Sequence, residues 1–581
     1  MTIWMREPDR PALAVPMRAG GAVLAAVGAL LSWATFVLND GPYPGKATLQ
    51  FFDAPLAVES FRQQVLLLAV AALVITFVPI RGRGRILRAL GWGVIAVSAV
   101  NLAFIGFNGG GFGAVTVFSG SVAFGGVVAL AGGILIVLGA YAGGIEVPVH
   151  LEIRLNRYVA WAVLLIAFVG LLLLVAATLT AGGQGGVVNP YAGAMFLSFL
   201  GFAGGALTAL AGAGVTSWIS RLSEQHRPFS IVVLLVCALA LPFTGAGTEY
   251  WMTVATNIGM YAATALGLNV VVGLAGLLDL GYVAFLGIGA VVAANVSGAA
   301  VAAFDIHLPF VVAAILSAVV AGCFGAVVGS PTLRVRGDYL AIVTLAFGEI
   351  FVRSAQNDIG GLTNGSNAIP SIPAITMFGT GFNEPIEVLG RGLPSGVLYY
   401  FLVVLLVALV MAMFANLKYS RIGRAWIAIR EDEDVAKAMG IRTGRAKILA
   451  FMVGATTAGL AGAVFAHKLS TVSYESFRFT ESVTLLAAVI LGGMGTIPGA
   501  VLGAAVLFVL PEKLREFSDY RLMMFGLALV LIMRFRPQGL LPDRHRRAEL
   551  AGEDVEGRKL DEQPTLDVHL PRGIATEGAG E

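Results

Sequence analysis

Apolar segments long enough to cross a membrane recur along this chain, from near residue 19 to near residue 535. A helix needs about 20 mainly apolar residues to span the hydrocarbon core of a bilayer. Hydrophobic residues make up 57% of the chain and charged residues 13%, and that charged share is about half the average for a globular domain. The sequence therefore predicts an all-α fold, a polytopic bundle of transmembrane helices.

The charge of the loops alternates along the first part of the chain and indicates its topology. Four arginines lie between residues 81 and 88, whereas residues 108–119 carry no charge. Because strongly basic loops stay on the cytoplasmic side, both ends of this block are predicted to be cytoplasmic. Its six segments lie near 19–38, 63–80, 89–107, 120–141, 159–181 and 193–214.

A second block begins after Arg227 and follows the same charge rule to its end. Its ten segments lie near 230–243, 251–275, 281–300, 309–329, 339–357, 397–416, 448–467, 481–491, 499–511 and 521–535. We therefore divide the chain into an N-terminal hydrophobic extension of about six transmembrane helices (1–227), a membrane core of about ten segments (228–542) and a tail (543–581). The tail is polar and without periodicity, so it is predicted to be disordered and cytoplasmic.

The loop 418–447 lies between two uncharged apolar segments and holds eight Lys or Arg residues and four acids. Its basic character predicts a cytoplasmic position. The acids favour the start of a short helix around Val435, which Gly440 would end. Val435 and Met439 are four residues apart and would share one face of this helix, flanked by the small Ala436. This face is predicted to dock against another protein, and the alternative is a solvated connecting loop.

Glycines interrupt two apolar regions of the second block. The segments 481–491 and 499–511 are too short to cross a membrane alone and would be half-helices that meet at Gly492, Gly493 and Gly495. The stretch with Gly276 and Gly281 has a similar pattern, and paired broken helices of this kind occur in transporters. Close helix packing without a functional break is the alternative.

Two charged residues lie inside a predicted span. Glu349 and Arg353 are four residues apart, a spacing at which an acid and a base pair along one helix face. Charges within the membrane are costly, so this pair is a candidate for the transport pathway. The alternative is an ion pair that anchors the helix near the outer surface.

The sequence lacks the patterns of several other classes of protein. It has no G-x-x-x-x-G-K-[ST] nucleotide-binding motif, no Ser/His/Asp arrangement and no zinc-ligand spacing. The net charge of +3 is too small to indicate nucleic-acid binding. We therefore expect no enzyme activity, no cofactor and no metal, and the energy for any active transport must come from a partner or from an ion gradient.

Five stretches of the second block resemble LivM-type permeases, the membrane subunits of ATP-binding cassette (ABC) importers for branched-chain amino acids. In chain order they are GLNVVVGLAGLLDLGYVAFLGIGA from Gly267, LRVRGDYLAIVTLAFGEI from Leu333, GRAWIAIREDEDVAKAMGI from Gly423, ESVTLLAAVILGGMG from Glu481 and RPQGLLP from Arg536. The resemblance implies a permease of the cell inner membrane that passes leucine, isoleucine or valine from an extracytoplasmic amino-acid binding protein to the cytoplasm. It also implies a second related permease and two ABC ATPase subunits as partners, and the ATPases would hydrolyse the ATP.

In this family the loop 418–447 corresponds to the permease's contact with the ATPase. By the resemblance, Asp434, Ala436 and Gly440 take the places of the family's acid, small residue and glycine. Together with the apolar face of the short helix, this gives a predicted contact made of Arg424, Asp434, Val435, Ala436, Met439 and Gly440. Val435 departs from the family pattern, which has alanine at the second position. Two other functions remain open from the sequence: an ion-coupled secondary transporter, and an ABC permease for urea, amides or other amino acids.

Overall fold

A computed structural model gives the fold of the chain. It describes residues 14–31, 33, 61–80, 82–108, 117–118, 121–122, 124–142, 151, 153, 155–180, 192–299, 301–304, 306–330, 338–377, 380–388, 391–513, 523, 526–527, 530, 534 and 539–541. The tail predicted at 543–581 and most of the segment predicted at 521–535 lie outside the described residues.

The described residues of the first part of the chain form seven helices and one short hairpin. They are α1 (Ala14–Leu30), α2 (Phe61–Phe77), α3 (Arg83–Asn108), β1 (Val117–Phe118), β2 (Ser121–Val122), α4 (Gly125–Ala142), α5 (Arg157–Thr180), α6 (Ala192–Gly212) and α7 (Val215–Gln225). The hairpin strands β1 and β2 are antiparallel.

The second part is also helical. Its helices are α8 (Arg227–Ala240), α9 (Glu249–Asn269), which continues into a π-helical turn (Val270–Leu274), α10 (Val283–Val296), α11 (Phe310–Gly329), α12 (Asp338–Gln356), α13 (Val397–Tyr419), α14 (Arg421–Glu431), α15 (Glu433–Ala438), α16 (Thr443–Leu469), α17 (Phe479–Gly492) and α18 (Ile497–Lys513). Two antiparallel hairpins precede α13, with strands β3 (Thr376–Met377), β4 (Thr380–Gly381), β5 (Ile386–Val388) and β6 (Arg391–Leu393). Within the described residues, short 3₁₀ turns cover Leu241–Phe243, Gly365–Asn367 and Tyr474–Phe477.

The predicted all-α fold is confirmed, and helices overlap fifteen of the sixteen predicted segments. In the described part of the chain, eight helices are long and apolar enough to cross a membrane by themselves. Two helices that the sequence did not predict, α7 and α14, are amphipathic; α7 carries one arginine and α14 carries three. A search for apolar segments does not find such helices, because only one side of each is apolar.

The two parts of the chain have separate apolar cores. The first is built around large side chains such as Trp33, Phe61 and Leu87, and the second around Phe285 and Phe451. A smaller apolar cluster joins α5 to the 3₁₀ turn Leu241–Phe243, α9 and α13. Another joins α5 to α7 and to Phe229 of α8. Helices α1, α2, α3, α4 and α6 thus share the first core, whereas α5 packs with elements of the second part.

A buried lysine joins α18 of the core to the extension. Lys513 Nζ donates to Leu179 O of α5 at 2.5 Å and lies 4.2 Å from the centre of the Trp251 ring. A helix-terminal carbonyl and an aromatic face both favour a cation. This contact holds the last turn of α18 between the two parts of the chain.

Helix α10 begins halfway along its neighbours and not at the level where they end. The Tyr282 hydroxyl, one residue before α10, donates to Gly454 O at 2.6 Å, and Gly454 is near the middle of α16. A Cβ atom at Gly281 would overlap the carbonyl of Thr344, which is well inside α12. With 14 residues, α10 is about 21 Å long. It therefore crosses part of the bundle only.

Helix α17 starts at the same depth, because Val283 N of α10 donates to Ser482 Oγ at 3.1 Å. The short helix predicted at 481–491 is thus present, and it is half-crossing. The segment predicted at 499–511 is also present, as a helix of 17 residues. Helix α18 begins at Ile497 and continues through Pro511, so it runs alongside α9 from the Asn269–Thr496 contact at one end to the Tyr250–Glu512 contact at the other.

Lys513 provides a test of how the extension and the core depend on each other. In the full chain, Lys513→Met removes the hydrogen bond to Leu179 and should lower the free energy of unfolding by about 1–2 kcal/mol. In a chain that begins near Ser230, Leu179 is absent but the Trp251 ring remains, so the same substitution should reduce stability by less. Thermal denaturation of the four proteins in detergent measures both effects.

The truncated chain should also keep the orientation of its later loops, because their basic residues are unchanged. Cysteine accessibility from each side of the membrane checks this expectation. Inverted loops, or an equal loss of stability from Lys513→Met in both backgrounds, would contradict the division of the chain that we describe.

Candidate functional site

The charged loop folds into two consecutive helices, α14 and α15, and not into the single short helix that its sequence predicted. Asp432 ends α14 and caps α15, since its Oδ1 accepts hydrogen bonds from Asp434 N at 2.8 Å and Val435 N at 2.9 Å. Gly440 follows α15 with a φ of 86°, the left-handed conformation that ends many helices. The predicted acidic start and glycine end of the short helix are both present.

The outer surface of α15 is partly apolar. Val435 is 58% exposed and Met439 is 79% exposed, whereas Ala436 is only 3% exposed. The expectation that Ala436 belongs to an exposed docking face is therefore wrong, because its methyl group turns inward towards the chain's own core. Asp434, Arg424 and Gly440 are exposed, and an Arg424 guanidinium nitrogen donates to Tyr419 O at 3.0 Å.

The α14–α15 pair is fixed to α16. Trp426 of α14 is fully buried and its indole nitrogen donates to Ala446 O at 2.7 Å. Lys447 of α16 forms an ion pair of 2.6 Å with Glu433 of α15. An amphipathic helix held by a buried aromatic anchor and an ion pair has little freedom to move separately from its neighbours.

The first helix break, residues 275–282, lies between the π-helical turn and α10. Gly276 adopts a φ of 70°, and a Cβ atom there would contact the aliphatic part of Arg430. Asp279 is 1% exposed, and its Oδ1 accepts from Gly281 N at 3.0 Å. Glycine is required at both positions, for the backbone conformation at Gly276 and for the approach of α12 at Gly281.

The second helix break, residues 493–496, turns the chain from α17 into α18. Gly493 and Gly495 have φ values of 122° and 76°. A Cβ atom at Gly492 would overlap the carbonyl of Gly499, so the two helices approach each other at backbone distance. Small residues permit this approach inside a membrane bundle.

Asn269 joins the end of α9 to the second break. Its Oδ1 accepts from Gly495 N at 2.8 Å, and its Nδ2 donates to Thr496 O at 2.9 Å. The side chain is fully buried. A Cβ atom at Gly273 would meet both the Asn269 amide and Gly495 N, so the two breaks are in direct contact.

Two basic residues of the charged loop also contact the glycines near the breaks. Arg430 Nη1 donates to Gly273 O at 2.8 Å, and Lys418 Nζ donates to Gly495 O at 2.8 Å. The sequence analysis did not single out Lys418, Arg430 or Asn269. An amide in an otherwise apolar helix was the available signal for Asn269, since a polar group inside a span needs a partner.

The end of the last quoted stretch, RPQGLLP, covers the second break. Leu540 N donates to Leu491 O at 2.8 Å and Leu541 N donates to Gly492 O at 2.9 Å. These are carbonyls of the last turn of α17, which have no partner within the helix. The described residues of all five stretches thus contribute to one connected region of the core.

Glu349 and Arg353 form the predicted ion pair, with 3.0 Å between Arg353 Nε and Glu349 Oε1. Their side chains are 47% and 66% exposed, respectively, so the pair lies on the outer face of α12 and not among the helices of this chain. A role for the pair in a pathway would therefore require another subunit against this face. Among the described residues, no group of three His, Cys, Asp or Glu side chains is arranged to hold a metal ion.

Comparison with known proteins gives a consistent result. A family model described as "Branched-chain amino acid transport system / permease component" matches residues 250–533. The chain is 40% identical over 349 residues to the high-affinity branched-chain amino acid transport system permease protein LivM of Salmonella typhimurium, over 58% of this chain and 80% of that protein. The LivM protein of Escherichia coli is 40% identical over 350 residues, with the same two shares.

A second kind of permease protein also matches, over a shorter length. The high-affinity branched-chain amino acid transport system permease protein LivH of Salmonella typhimurium is 31% identical over 133 residues, which is 22% of this chain and 43% of LivH. No solved structure matches the chain.

The exposed ion pair can be tested by a double-mutant cycle. Removing one charge leaves the other without its partner inside or at the edge of a membrane span, which costs a few kcal/mol on insertion scales. Glu349→Gln combined with Arg353→Gln should therefore reduce the amount of protein in the membrane less than the worse single substitution does. Quantitative blotting of membranes and uptake assays measure the effect, and additive losses would show that the two residues act independently.

Proposed function

We infer that this chain, which belongs to the family of branched-chain amino acid transport permeases, is the membrane-spanning permease subunit of an ABC importer for leucine, isoleucine and valine. The observation that carries this inference is the 40% identity to LivM over 80% of the LivM length. The chain is a multi-pass protein of the inner membrane, and both of its termini are proposed to be cytoplasmic.

The proposed transporter contains three other kinds of subunit. A second related permease would complete the membrane part, and the partial similarity to LivH supports this. An extracytoplasmic binding protein would deliver the amino acid, and two ABC ATPase subunits would supply the energy. The permease chain itself contains no nucleotide-binding motif, so we assign ATP hydrolysis to the ATPases.

The α14–α15 pair is the proposed contact with the ATPases. The exposed Val435 and Met439 side chains form an apolar patch on a charged loop, and such a patch suits a protein partner. Arg424, Asp434 and Gly440 are exposed on the same pair of helices and would lie at the edge of the contact. Ala436 would support the helix from inside.

The helix breaks are proposed to be the part of the permease that changes shape during transport. Broken helices with glycines near the middle of a bundle line the substrate site in several transporter folds. Gly276, Gly281, Gly492, Gly493 and Gly495 would provide this flexibility. Glu349 and Arg353 are proposed to face the second permease, where they would line the pathway between the two subunits.

Uptake measurements in membrane vesicles test the proposed function. Labelled leucine, isoleucine and valine should accumulate only when ATP and the loaded binding protein are present, and an ionophore that removes ion gradients should not prevent accumulation. Uptake that follows an ion gradient and ignores ATP would instead identify a secondary transporter. The ligand that co-purifies with the binding protein identifies the amino acid.

Substitutions on α15 test the proposed ATPase contact. Met439→Arg or Val435→Arg places an unpaired charge in the contact, which should weaken ATPase binding by about 3 kcal/mol. Both variants should reach the membrane at normal levels because both positions are exposed. The ATPase should be lost on purification, and uptake should stop.

Ser220→Arg provides the matched control, because Ser220 is exposed on α7 of the extension, on the same predicted side of the membrane. It should keep the ATPase and normal uptake. Ala436→Arg is not a suitable probe, because the larger side chain would disturb the packing of α15 on its own chain. An ATPase that remains bound to Met439→Arg and Val435→Arg would exclude this surface as the contact.

A further inference from the structure

A backbone carbonyl of the π-helical turn that leads into the first break, and one in the second break, each accept a hydrogen bond from a cationic side chain of the charged loop. Arg430 Nη1 donates to Gly273 O at 2.8 Å, and Lys418 Nζ donates to Gly495 O at 2.8 Å. A carbonyl that has lost its helical partner is costly inside a membrane protein, so it needs a donor from elsewhere. Hydrogen bonds from a charged donor are stronger than those between neutral groups.

These two residues stand at opposite ends of α14. Lys418 is in the last turn of α13, just before α14 begins, and Arg430 is in the last turn of α14. One end of α14 is therefore held to the second break, and the other end is held to the first break. The helix forms a bridge between two places that are more than 200 residues apart in the sequence.

The breaks are also held to each other by Asn269. Its amide accepts from Gly495 N and donates to Thr496 O, while Gly273 lies against the same amide. In the second break, the carboxamide oxygen accepts one hydrogen bond and one of its two N–H groups donates another. If one helix break moved without the other, these hydrogen bonds would be lost.

The outer part of the network continues into the proposed ATPase contact. Asp432 is shared by the end of α14 and the start of α15. Trp426 and the Lys447–Glu433 ion pair join both helices to α16. A force applied to Val435 and Met439 would thus reach Arg430 through a rigid connection of fewer than ten residues.

We propose that Lys418, Arg430 and Asn269 are positioning residues that transmit a displacement of the α14–α15 pair to both helix breaks at once, so that ATPase movement opens or closes the two breaks together. This proposal rests on the proposed function, because it requires an ATPase at α15. It goes further by naming the hydrogen bonds that connect the ATPase contact to the interior of the permease.

The test uses the complete transporter, with its ATPases and binding protein, in lipid vesicles. Arg430→Met and Lys418→Met keep an unbranched side chain but remove the donor. Both variants should retain the ATPase and should hydrolyse ATP, but uptake per ATP hydrolysed should fall about tenfold, the effect of losing about 1.4 kcal/mol of transmitted energy. The double variant should be no worse than the more impaired single variant, because the two bonds act in one connection.

Arg421→Met is the matched control. Arg421 is the first residue of α14 and is exposed, and the hydrogen bonds described at the two breaks do not include it. Like Arg430→Met, this substitution removes one positive charge from α14, and it should leave uptake per ATP unchanged. Asn269→Asp removes the donor to Thr496 O while keeping the size of the side chain, so it should uncouple hydrolysis from uptake as the Met variants do.

A purely structural role gives a different result. If the three residues only stabilise the fold, hydrolysis and uptake should fall by the same factor, and uptake per ATP should not change. That outcome would overturn the proposal.

Arg430→Lys and Lys418→Arg provide the same measurement if the Met variants do not reach the membrane. Each keeps a cationic donor on a side chain of different length, and each should reduce uptake per ATP partially. A wild-type transporter that binds no ATPase would refute the proposed function itself, whereas an ATP-driven wild type with coupled variants would refute this inference alone.

Discussion

The structure of the core depends on the satisfaction of backbone groups where its helices are broken. Inside a bilayer an unpaired N–H or C=O group costs several kcal/mol, so a broken helix is stable only if other groups take the place of its missing hydrogen bonds. Asn269 does this for Gly495 N and Thr496 O, since a carboxamide carries both a donor and an acceptor. Leu540 and Leu541 supply donors to the last carbonyls of α17. Without these contacts the end of the half-crossing helix α17 and the turn that follows it would lack hydrogen-bond partners.

Much of this fold follows from hydrophobic patterning, and the reason is the environment of the chain. A membrane selects for uninterrupted apolar segments, so their positions predict the helices well. The two helices that were not predicted, α7 and α14, were missed for the opposite reason, because only one side of each is apolar. Helix α14 has one side towards water, and its Arg421, Arg424 and Arg430 gave the whole loop a polar composition.

The candidate site was less predictable, because its contacts join residues that are distant in the sequence. Glycine clusters indicate that a helix is interrupted, but they do not show what lies against the interruption. The contact of Lys418 with Gly495 spans 77 residues, and that of Arg430 with Gly273 spans 157 residues. No local pattern encodes such a pair. The inward position of Ala436 was missed for a related reason: a helix of six residues has too few turns for its sequence to show which side faces the protein.

The stretches that carry the family resemblance acquire a physical explanation from this arrangement. Gly273, Gly276, Gly492 and Gly495 are needed because a Cβ atom or an ordinary backbone conformation would not fit where the breaks meet. Ser482 and Thr344 accept hydrogen bonds from Val283 N and Leu280 N, which lie where the first break passes into α10. The described residues of the N-terminal extension form none of the hydrogen bonds given above for this region, and most of its helices share a separate core. A chain can therefore carry a large additional membrane unit without change to the broken helices, provided that the surface around Lys513 remains compatible with both parts.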